Sequence, residues 1–264
     1  MMRIGKQDSP FSAICASDAE HIYVRGMDLC DEIIGKVDFT SYFWLLVTGV
    51  MPTPAQGAMT NAVLAAIAEH GLVPSVVAAR MTYAAAPEAL QGAVAAGLLG
   101  CGSVVLGSAE EAGRFLSACV DAAADSSPMD AARAKITALR AERQVIPGFG
   151  HPQHSGGDPR AHRLIALAHE QGVAGAYCAM LDTVFTTLPE AIGRSLPINV
   201  NGAIAAVMLD AGFPLHALKG VSLLARTAGL IGHLNEEAAR PIGFIMSGAA
   251  AAAISYDGPE KDNG

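Results

Sequence analysis

The sequence has little of what marks several familiar classes of protein. Its 264 residues include five cysteines and one tryptophan, and only 16% of them are charged. The cysteines are never spaced as C-x-x-C, so the sequence suggests neither a zinc ribbon nor a disulfide framework. No window reaches the ~20 uninterrupted apolar residues of a membrane-spanning helix. We therefore expect no membrane location, and we interpret all five cysteines as small buried residues.

The charge pattern also excludes a class of partner. The formal net charge is -8, and the chain has no run of Lys or Arg and only five tyrosines, which argues against a nucleic-acid-binding surface. The N-terminus has neither a continuous apolar segment nor the Arg-rich composition of a transit peptide, so cytoplasm is the expected location. Because 52% of the residues are apolar, the chain should fold compactly.

Few segments alternate with period two, and helical spacing dominates, so the sequence predicts a mainly α fold. A short hairpin is expected at the start, formed by residues 11–14 and 21–25. Thr53-Pro54, Ser127-Pro128 and Asp158-Pro159 each combine a capping residue with a proline at the first helical position. The expected helices are Asp38–Val50, Pro54–His70, Pro74–Ala86, Pro87–Leu99, Ala109–Cys119, Pro128–Arg143, Asp158–Gly172, Tyr177–Leu188, Asn199–Ala211 and His216–Ala239. The last ten residues, SYDGPEKDNG, are expected to be a frayed tail.

The loop VIPGFGHPQHSGGDPR lies between two expected helices and concentrates glycine, proline and histidine. Arg160 stands at the second position of the helix that follows, where unpaired N–H groups attract anions. The sequence is therefore compatible with a carboxylate or phosphate site, or with an ordinary capped turn. His151, His154 and Asp158 also form a possible metal set, which we rank low because no companion motif accompanies them. We predict no metal site.

Arg226 lies inside the apolar helix GVSLLARTAGLIGH. A buried charge is costly unless an anion meets it, so this arginine either binds a ligand or forms an internal salt bridge. Arg240-Pro241 ends the same region. Arg240 is therefore either a cation at a helix C-terminus or a second ligand-binding arginine.

Three segments together resemble one known family. GFGHPQHSGGDPR resembles the G-[FY]-G-H…D-P-R segment of the citrate synthase family, with the same number of residues between the histidine and the aspartate. LPINVNGAIAAVMLDAGFP resembles the family's P-N-V-D…G-I-P helix, and LARTAGLIGHLNEEAARP resembles its A-R-[TA]-x-G…H-x-x-E…R-P segment. VRGMDLCDEI, FWLLVTGVMPT and HGLVPSVVAARM are weaker matches to segments of the family's first half.

The resemblance implies a two-domain helical fold. A large domain would comprise residues 1–107 and 217–264, and a small lid domain would comprise residues 108–216. Closure of the lid shapes the acyl-CoA site in this family. The resemblance, together with small residues on helix faces, also predicts a homodimer.

The same resemblance assigns roles to individual residues. The carboxylates and the hydroxyl or carbonyl of the substrate should meet His70, His151, Arg160 and Arg226, with Arg240 contributed across the dimer interface. The adenine end of coenzyme A should meet the backbone of Val145, Ile146, Pro147, Gly148, Phe149 and Gly150. The expected ligands are therefore a di- or tricarboxylate and an acyl-CoA thioester.

Two positions depart from the family pattern. Val105 stands where the family has the histidine that polarises the thioester carbonyl, and Asn201 stands where it has the aspartate that exchanges the methyl proton. An amide cannot act as a general base at neutral pH. Pro152 and Ser155 replace basic residues that hold the coenzyme phosphates, so coenzyme A binding is less strongly indicated than carboxylate binding.

The surviving residues favour bond cleavage over synthesis. Cleavage of a citryl-CoA-like 3-hydroxyacyl thioester begins with removal of the hydroxyl proton, which His151 could accept, and it depends less on the missing pair. The sequence thus favours an enzyme similar to citryl-CoA lyase. The alternative is a non-catalytic carboxylate- or acyl-CoA-binding protein, or a subunit, on a degenerate citrate synthase fold.

Overall fold

A computed structural model describes residues 9–102, 108–150 and 157–259. Helices make up 65% of it, with few strands, which confirms the mainly α fold. The helices are α1 (Phe39–Thr48), α2 (Pro54–Ala68), α3 (Pro74–Ala85), α4 (Leu90–Leu99), α5 (Ser108–Ala122), α6 (Pro128–Ala141), α7 (Pro159–Glu170), α8 (Ala176–Ile192), α9 (Val200–Asp210), α10 (Leu218–Ala239) and α11 (Gly243–Ala253).

The predicted N-terminal hairpin is present, and its second strand lies within residues 21–25, but its first strand is displaced and a third strand was not predicted. Three short antiparallel strands form a sheet in the order β1 (Cys15–Ser17), β2 (Ile22–Val24) and β3 (Met27–Asp28). The first strand therefore follows residues 11–14 rather than coinciding with them. The carboxylate of Asp18 accepts hydrogen bonds from the backbone N–H groups of Glu20 and His21, which fixes the turn between β1 and β2.

The capping residues predict the helix starts well. Thr53 forms a capping box with Gln56, and the side chains of Ser127 and Asp158 accept hydrogen bonds from the first turns of α6 and α7. The expected start at Pro87 is wrong, because a turn closed by the Ala89 N–H on the Ala86 carbonyl precedes α4. Sequence reasoning missed α11 entirely, because this apolar segment has no side-chain cap and no alternation of polar and apolar faces, although alanine itself favours a helix.

The core is built around α9, whose residues from 202 to 208 are all buried. Helix α9 packs against α5, α7 and α8, while α10 packs against α2, α3 and α4. Contacts between α10 and α5, and between α2 and α7, link the two groups. The division of the chain into a large domain and a lid domain stays a prediction.

The expectation for the cysteines needs correction. Cys101, Cys119 and Cys178 are buried, whereas Cys15 and Cys30 are exposed, because both lie in the thin N-terminal segment. Burial raises the pKa of the Cys119 and Cys178 thiols to about 12. Within the described ranges, no helix has the length and apolarity needed to cross a membrane.

Candidate functional site

The start of α7 is held by a buried ion pair. The Asp158 side chain is fully buried and caps the helix by accepting the Arg160 backbone N–H at 3.1 Å. The Arg160 guanidinium donates to the same carboxylate from Nε at 3.0 Å and from Nη2 at 2.8 Å. The Val200 N–H, at the start of α9, donates to Asp158 Oδ2 at 3.2 Å. One carboxylate therefore ties the starts of α7 and α9 together.

The ionised state of Asp158 follows from these contacts. Burial acts to raise the pKa of this carboxyl group, but the hydrogen bonds and charge of Arg160, together with the Val200 N–H, hold the pKa below its ordinary value. Arg160 keeps 21% of its side chain exposed. Its Nε and Nη2 atoms are held by Asp158, and no described residue accepts a hydrogen bond from Nη1, which is therefore the nitrogen open to a second anion.

The loop at residues 145–150 is pinned against the start of α9. The Gly150 N–H donates to the Pro197 carbonyl at 2.7 Å, and the Asn199 N–H donates to the Gly148 carbonyl at 3.0 Å. Gly148 has φ 88°, and a Cβ there would lie 2.9 Å from the Cα of Gly202. Only glycine allows this approach of loop to helix. The loop expected to receive coenzyme A is thus rigidly attached.

Asn201 lies in the first turn of α9. Its backbone N–H is capped by the Asn199 side chain at 3.0 Å, so that side chain holds the helix start in place. The Oδ1 atom of Asn201 is buried, and no hydrogen-bond partner for it exists among the described residues. A buried polar atom without a partner is costly, which is typical of a position that meets a ligand.

Arg226 is a buried and poorly paired cation. It is 2% exposed, and its Nε and Nη1 atoms lack hydrogen-bond partners in the described part of the chain. Its Nη2 is 3.5 Å from the Ile67 carbonyl, and its Nη1 is 4.0 Å from Glu69 Oε2. Burial lowers the pKa of Arg226, the charge of Glu69 opposes this, and the charge of Arg160 adds to the lowering.

The end of α2 brings Glu69 and His70 against α10. Gly229 permits this contact, because a Cβ there would collide with the Ala68 carbonyl. Glu69 Oε2 lies 2.9 Å from His233 Nε2, closer than it lies to Arg226. Burial acts to raise the pKa of Glu69, but the contact with His233 and the backbone N–H groups that follow hold it below its ordinary value. The internal salt bridge of Arg226, to Glu69 at 4.0 Å, is therefore too long to be a hydrogen bond.

A second buried arginine completes this side of α10. Arg80 donates from Nε to Glu237 Oε2 at 2.6 Å, from Nη1 to Glu236 at 2.9 Å and from Nη2 to the Arg240 carbonyl at 3.2 Å. Burial acts to lower the pKa of Arg80, but the bonds to Glu237 and Glu236 raise it overall. Arg80 is fully partnered, in contrast to Arg226.

A family model for the C-terminal domain of citrate synthase matches residues 36–243. The chain belongs to the citrate synthase family. No curated protein matches the sequence.

Solved structures align along most or nearly all of the chain. Citryl-CoA lyase from Hydrogenobacter thermophilus is 29% identical, with a TM-score of 0.85 over 99% of this chain and 97% of that one. ATP citrate lyase from Methanothrix soehngenii, in complex with citrate and coenzyme A, is 21% identical with a TM-score of 0.72. Citrate synthase from Thermotoga maritima is 17% identical with a TM-score of 0.65.

The coverage differs among these structures. The alignment spans 98% of this chain but 43% of the ATP citrate lyase, and 85% of this chain but 59% of the citrate synthase. At these identities the two matches establish the common fold. The citryl-CoA lyase matches in length as well as in fold.

The structure brings together several residues that the sequence predicts for the site. His70 adjoins Glu69 at the end of α2, Arg226 faces that end, and the charge of Arg160 acts on Arg226. Asn201 directly follows Val200, whose backbone N–H donates to Asp158, the partner of Arg160. His151 and Val105 lie outside the described residues, as does His154 of the low-ranked metal set. In the described ranges, no cluster of three side chains suits a metal ion.

Arg240 is placed apart from this group. It is exposed at the C-terminal end of α10, about 20 Å along the helix axis from Arg226 at 1.5 Å per residue. Sequence reasoning missed the contacts among Glu69, His233 and Arg80. The only sequence signal for them is the presence of charged residues on an otherwise apolar helix, which names no partner.

Proposed function

We propose that the chain cleaves the carbon–carbon bond of a citryl-CoA-like 3-hydroxyacyl thioester. The observation that carries the proposal is the buried Arg226 guanidinium, which has two nitrogens without hydrogen-bond partners among the described residues and lies within electrostatic range of Arg160. Such a pair of arginines suits a ligand with two carboxylates. The full-length match to a citryl-CoA lyase supports cleavage as the reaction.

The proposed reaction is a retro-Claisen cleavage. A base, for which His151 is the candidate, takes the proton of the tertiary hydroxyl group. The oxygen forms a carbonyl, the adjacent carbon–carbon bond breaks, and its electron pair becomes the enolate of the thioester. Protonation of the enolate carbon by solvent gives the acyl-CoA, and the other product is an oxoacid similar to oxaloacetate. The amide of Asn201 can donate a hydrogen bond to the enolate oxygen, but it cannot supply a base.

Coenzyme A enters this proposal as part of the thioester substrate. The backbone of residues 146–150 is the proposed contact for its adenine end. The hydrogen bonds of the Gly150 N–H and the Gly148 carbonyl to the segment before α9 hold that backbone in place. Val145 is 82% exposed, which leaves the outer edge of the loop accessible. His70, Arg160 and Arg226 would hold the dicarboxylate part.

Incubation with citryl-CoA tests the proposal, with oxaloacetate measured by a coupled dehydrogenase. We expect release of oxaloacetate by the unmodified protein, and loss of about 10²-fold or more in His151→Ala, since general acid–base catalysis typically contributes 10²–10⁴-fold. His154→Ala, in the same loop, is the matched control and should retain activity. Binding of oxaloacetate and coenzyme A in calorimetry without turnover would select the non-catalytic alternative.

We also propose that a second copy of the chain covers the apolar face of α11. Phe244 is 72% exposed and Ile245 is 67% exposed, and only Gly243 of this helix is buried. An exposed apolar face of this kind is typical of a subunit interface. Arg240 lies three residues before the start of α11. The same association would therefore bring Arg240 toward the proposed carboxylate-binding residues of the partner copy.

Sedimentation at micromolar concentration tests the dimer. The unmodified protein should sediment as a dimer, and Ile245→Glu should shift it to a monomer, because the new charge would be buried at the interface. Ile34→Glu is the control, since Ile34 is 62% exposed but distant from α11 in sequence. A monomeric unmodified protein would contradict this proposal.

A further inference from the structure

A polar stripe runs along one side of the otherwise apolar α10. At 3.6 residues per turn, five residues fall within about 60° around the helix axis: Lys219, Ser222, Arg226, His233 and Glu237. Ser222, Arg226 and Glu237 are buried, and Lys219 and His233 are half-buried. Polar groups aligned on a buried helix face require partners from elsewhere.

The two ends of this stripe differ in their partners. At the C-terminal end, His233 contacts Glu69 at 2.9 Å and Glu237 contacts Arg80 at 2.6 Å. At the N-terminal end, Ser222 Oγ and two nitrogens of Arg226 are buried without hydrogen-bond partners in the ranges described. The C-terminal half of the stripe therefore has carboxylates at close range, whereas the N-terminal half has only the long contact of Arg226 with Glu69 and is left to a ligand.

Lys219 extends the unsatisfied half by one further turn. No hydrogen bond or ion pair joins its ammonium group to any described residue. Ser222 lies between it and Arg226, and Lys219 and Arg226 are about 10 Å apart along the axis at 1.5 Å per residue. Burial raises the pKa of the Cys101 thiol, and the charges of Arg226 and Lys219 both oppose the rise. Both positive charges therefore act on the same buried thiol.

We infer that Lys219 and Ser222 form a further anion subsite beside Arg226, which binds a third carboxylate of the ligand. In the proposed function, Arg160 and Arg226 form a clamp for the two carboxylates of a dicarboxylate. Such a ligand leaves the Lys219 end of the stripe without an anion. A carboxylate at that end accepts from the ammonium group and from the Ser222 hydroxyl. The inference rests on the proposed function, because it assigns the substrate class of the same site.

A matched pair of acids tests the subsite. Tricarballylate differs from glutarate only by its central carboxylate, so the ratio of their dissociation constants in calorimetry isolates the third anion. We expect Lys219→Met to weaken tricarballylate by about tenfold or more, the effect of losing a hydrogen bond to a charged group, and to change glutarate by less than about twofold. Ser222→Ala should weaken tricarballylate by a few-fold in the same selective way.

Two controls exist in the chain. Lys135→Met removes another half-buried lysine whose charge acts on a buried thiol, that of Cys119. Ser75→Ala removes another buried hydroxyl without a partner among the described residues. Neither control should change the ratio for the two acids. Circular dichroism and the thermal midpoint verify that each variant is folded.

The outcomes separate the inference from the proposed function. Equal loss of both acids in Lys219→Met, or no loss of either, would overturn the subsite while the clamp for dicarboxylates stands. Failure of the unmodified protein to bind either acid would contradict both. A second experiment compares the binding of acetyl-CoA and malonyl-CoA, which differ by one carboxylate on the acyl chain. Selective weakening of malonyl-CoA in Lys219→Met would place the third carboxylate on the acyl chain, and an effect on tricarballylate alone would place it on a free acid.

Discussion

The unmodified protein should not exchange the methyl protons of acetyl-CoA at a measurable rate. Exchange requires a base at the position of Asn201, and an amide cannot accept the proton at neutral pH. The side chain of valine, which stands at position 105, has no hydrogen-bond donor for a thioester carbonyl. Synthesis of a citrate-type product from acetyl-CoA and an oxoacid should therefore be at least about 10²-fold slower than in an enzyme with both groups.

Proton exchange can be followed by NMR in deuterated buffer with a bound dicarboxylate. The double variant Val105→His with Asn201→Asp should raise exchange by about 10²-fold or more, since it supplies both the base and the polarising group. Asn201→Ala removes the amide without adding a base, so it should give no gain. Robust synthesis by the unmodified protein would show that the roles assigned to positions 105 and 201 are wrong.

Arg80→Leu should destabilise the fold strongly, whereas Arg226→Leu should not. Each arginine is 2% exposed. Removal of Arg80 leaves Glu237, itself 3% exposed, as a buried carboxylate without its cation, which costs about 3–5 kcal/mol. Removal of Arg226 eliminates a buried charge with two unpartnered nitrogens in the described structure, so stability should stay the same or rise. Urea unfolding of both variants measures the difference.

The effect of Arg80→Leu should depend on pH. Burial acts to raise the pKa of Glu237, but the bond to Arg80 and the backbone N–H groups of Gly243 and Ile242 hold it below 4.5. The stabilisation from this pair is therefore fully present above pH 4.5 and is lost as the pH falls through the folded-state pKa. The difference in unfolding free energy between unmodified protein and variant should shrink in that acidic range. A loss that is constant with pH would show that packing rather than the ion pair is responsible.

The sequence predicts those parts of the fold that depend on neighbouring residues. Thr53-Pro54 and Asp158-Pro159 place helix starts correctly because a cap and a proline act within one turn. Helix α11 has no such cap, and its sequence GFIMSGAAAAA has no polar face that would mark a helical period. Local sequence therefore gives no clear start for this helix.

The site divides in the same way. Arg226 is detectable from sequence because a charge on an apolar helix is costly. Its relation to Glu69 is not detectable, because the contact depends on how closely α2 approaches α10 at Gly229. The resemblance to the family assigned His70 and Arg160 by position, but only the structure shows that Asp158 ties Arg160 to the start of α9.

Calorimetry with succinate on Arg226→Leu determines whether this buried guanidinium binds a carboxylate. The expected result is a loss of about 1.5–3 kcal/mol in binding free energy, or roughly 10- to 150-fold in affinity, typical of hydrogen bonds to charged groups. The thermal midpoint should stay unchanged or rise. Unchanged affinity together with a lowered thermal midpoint would show that Arg226 stabilises the fold and would contradict its role in binding a carboxylate.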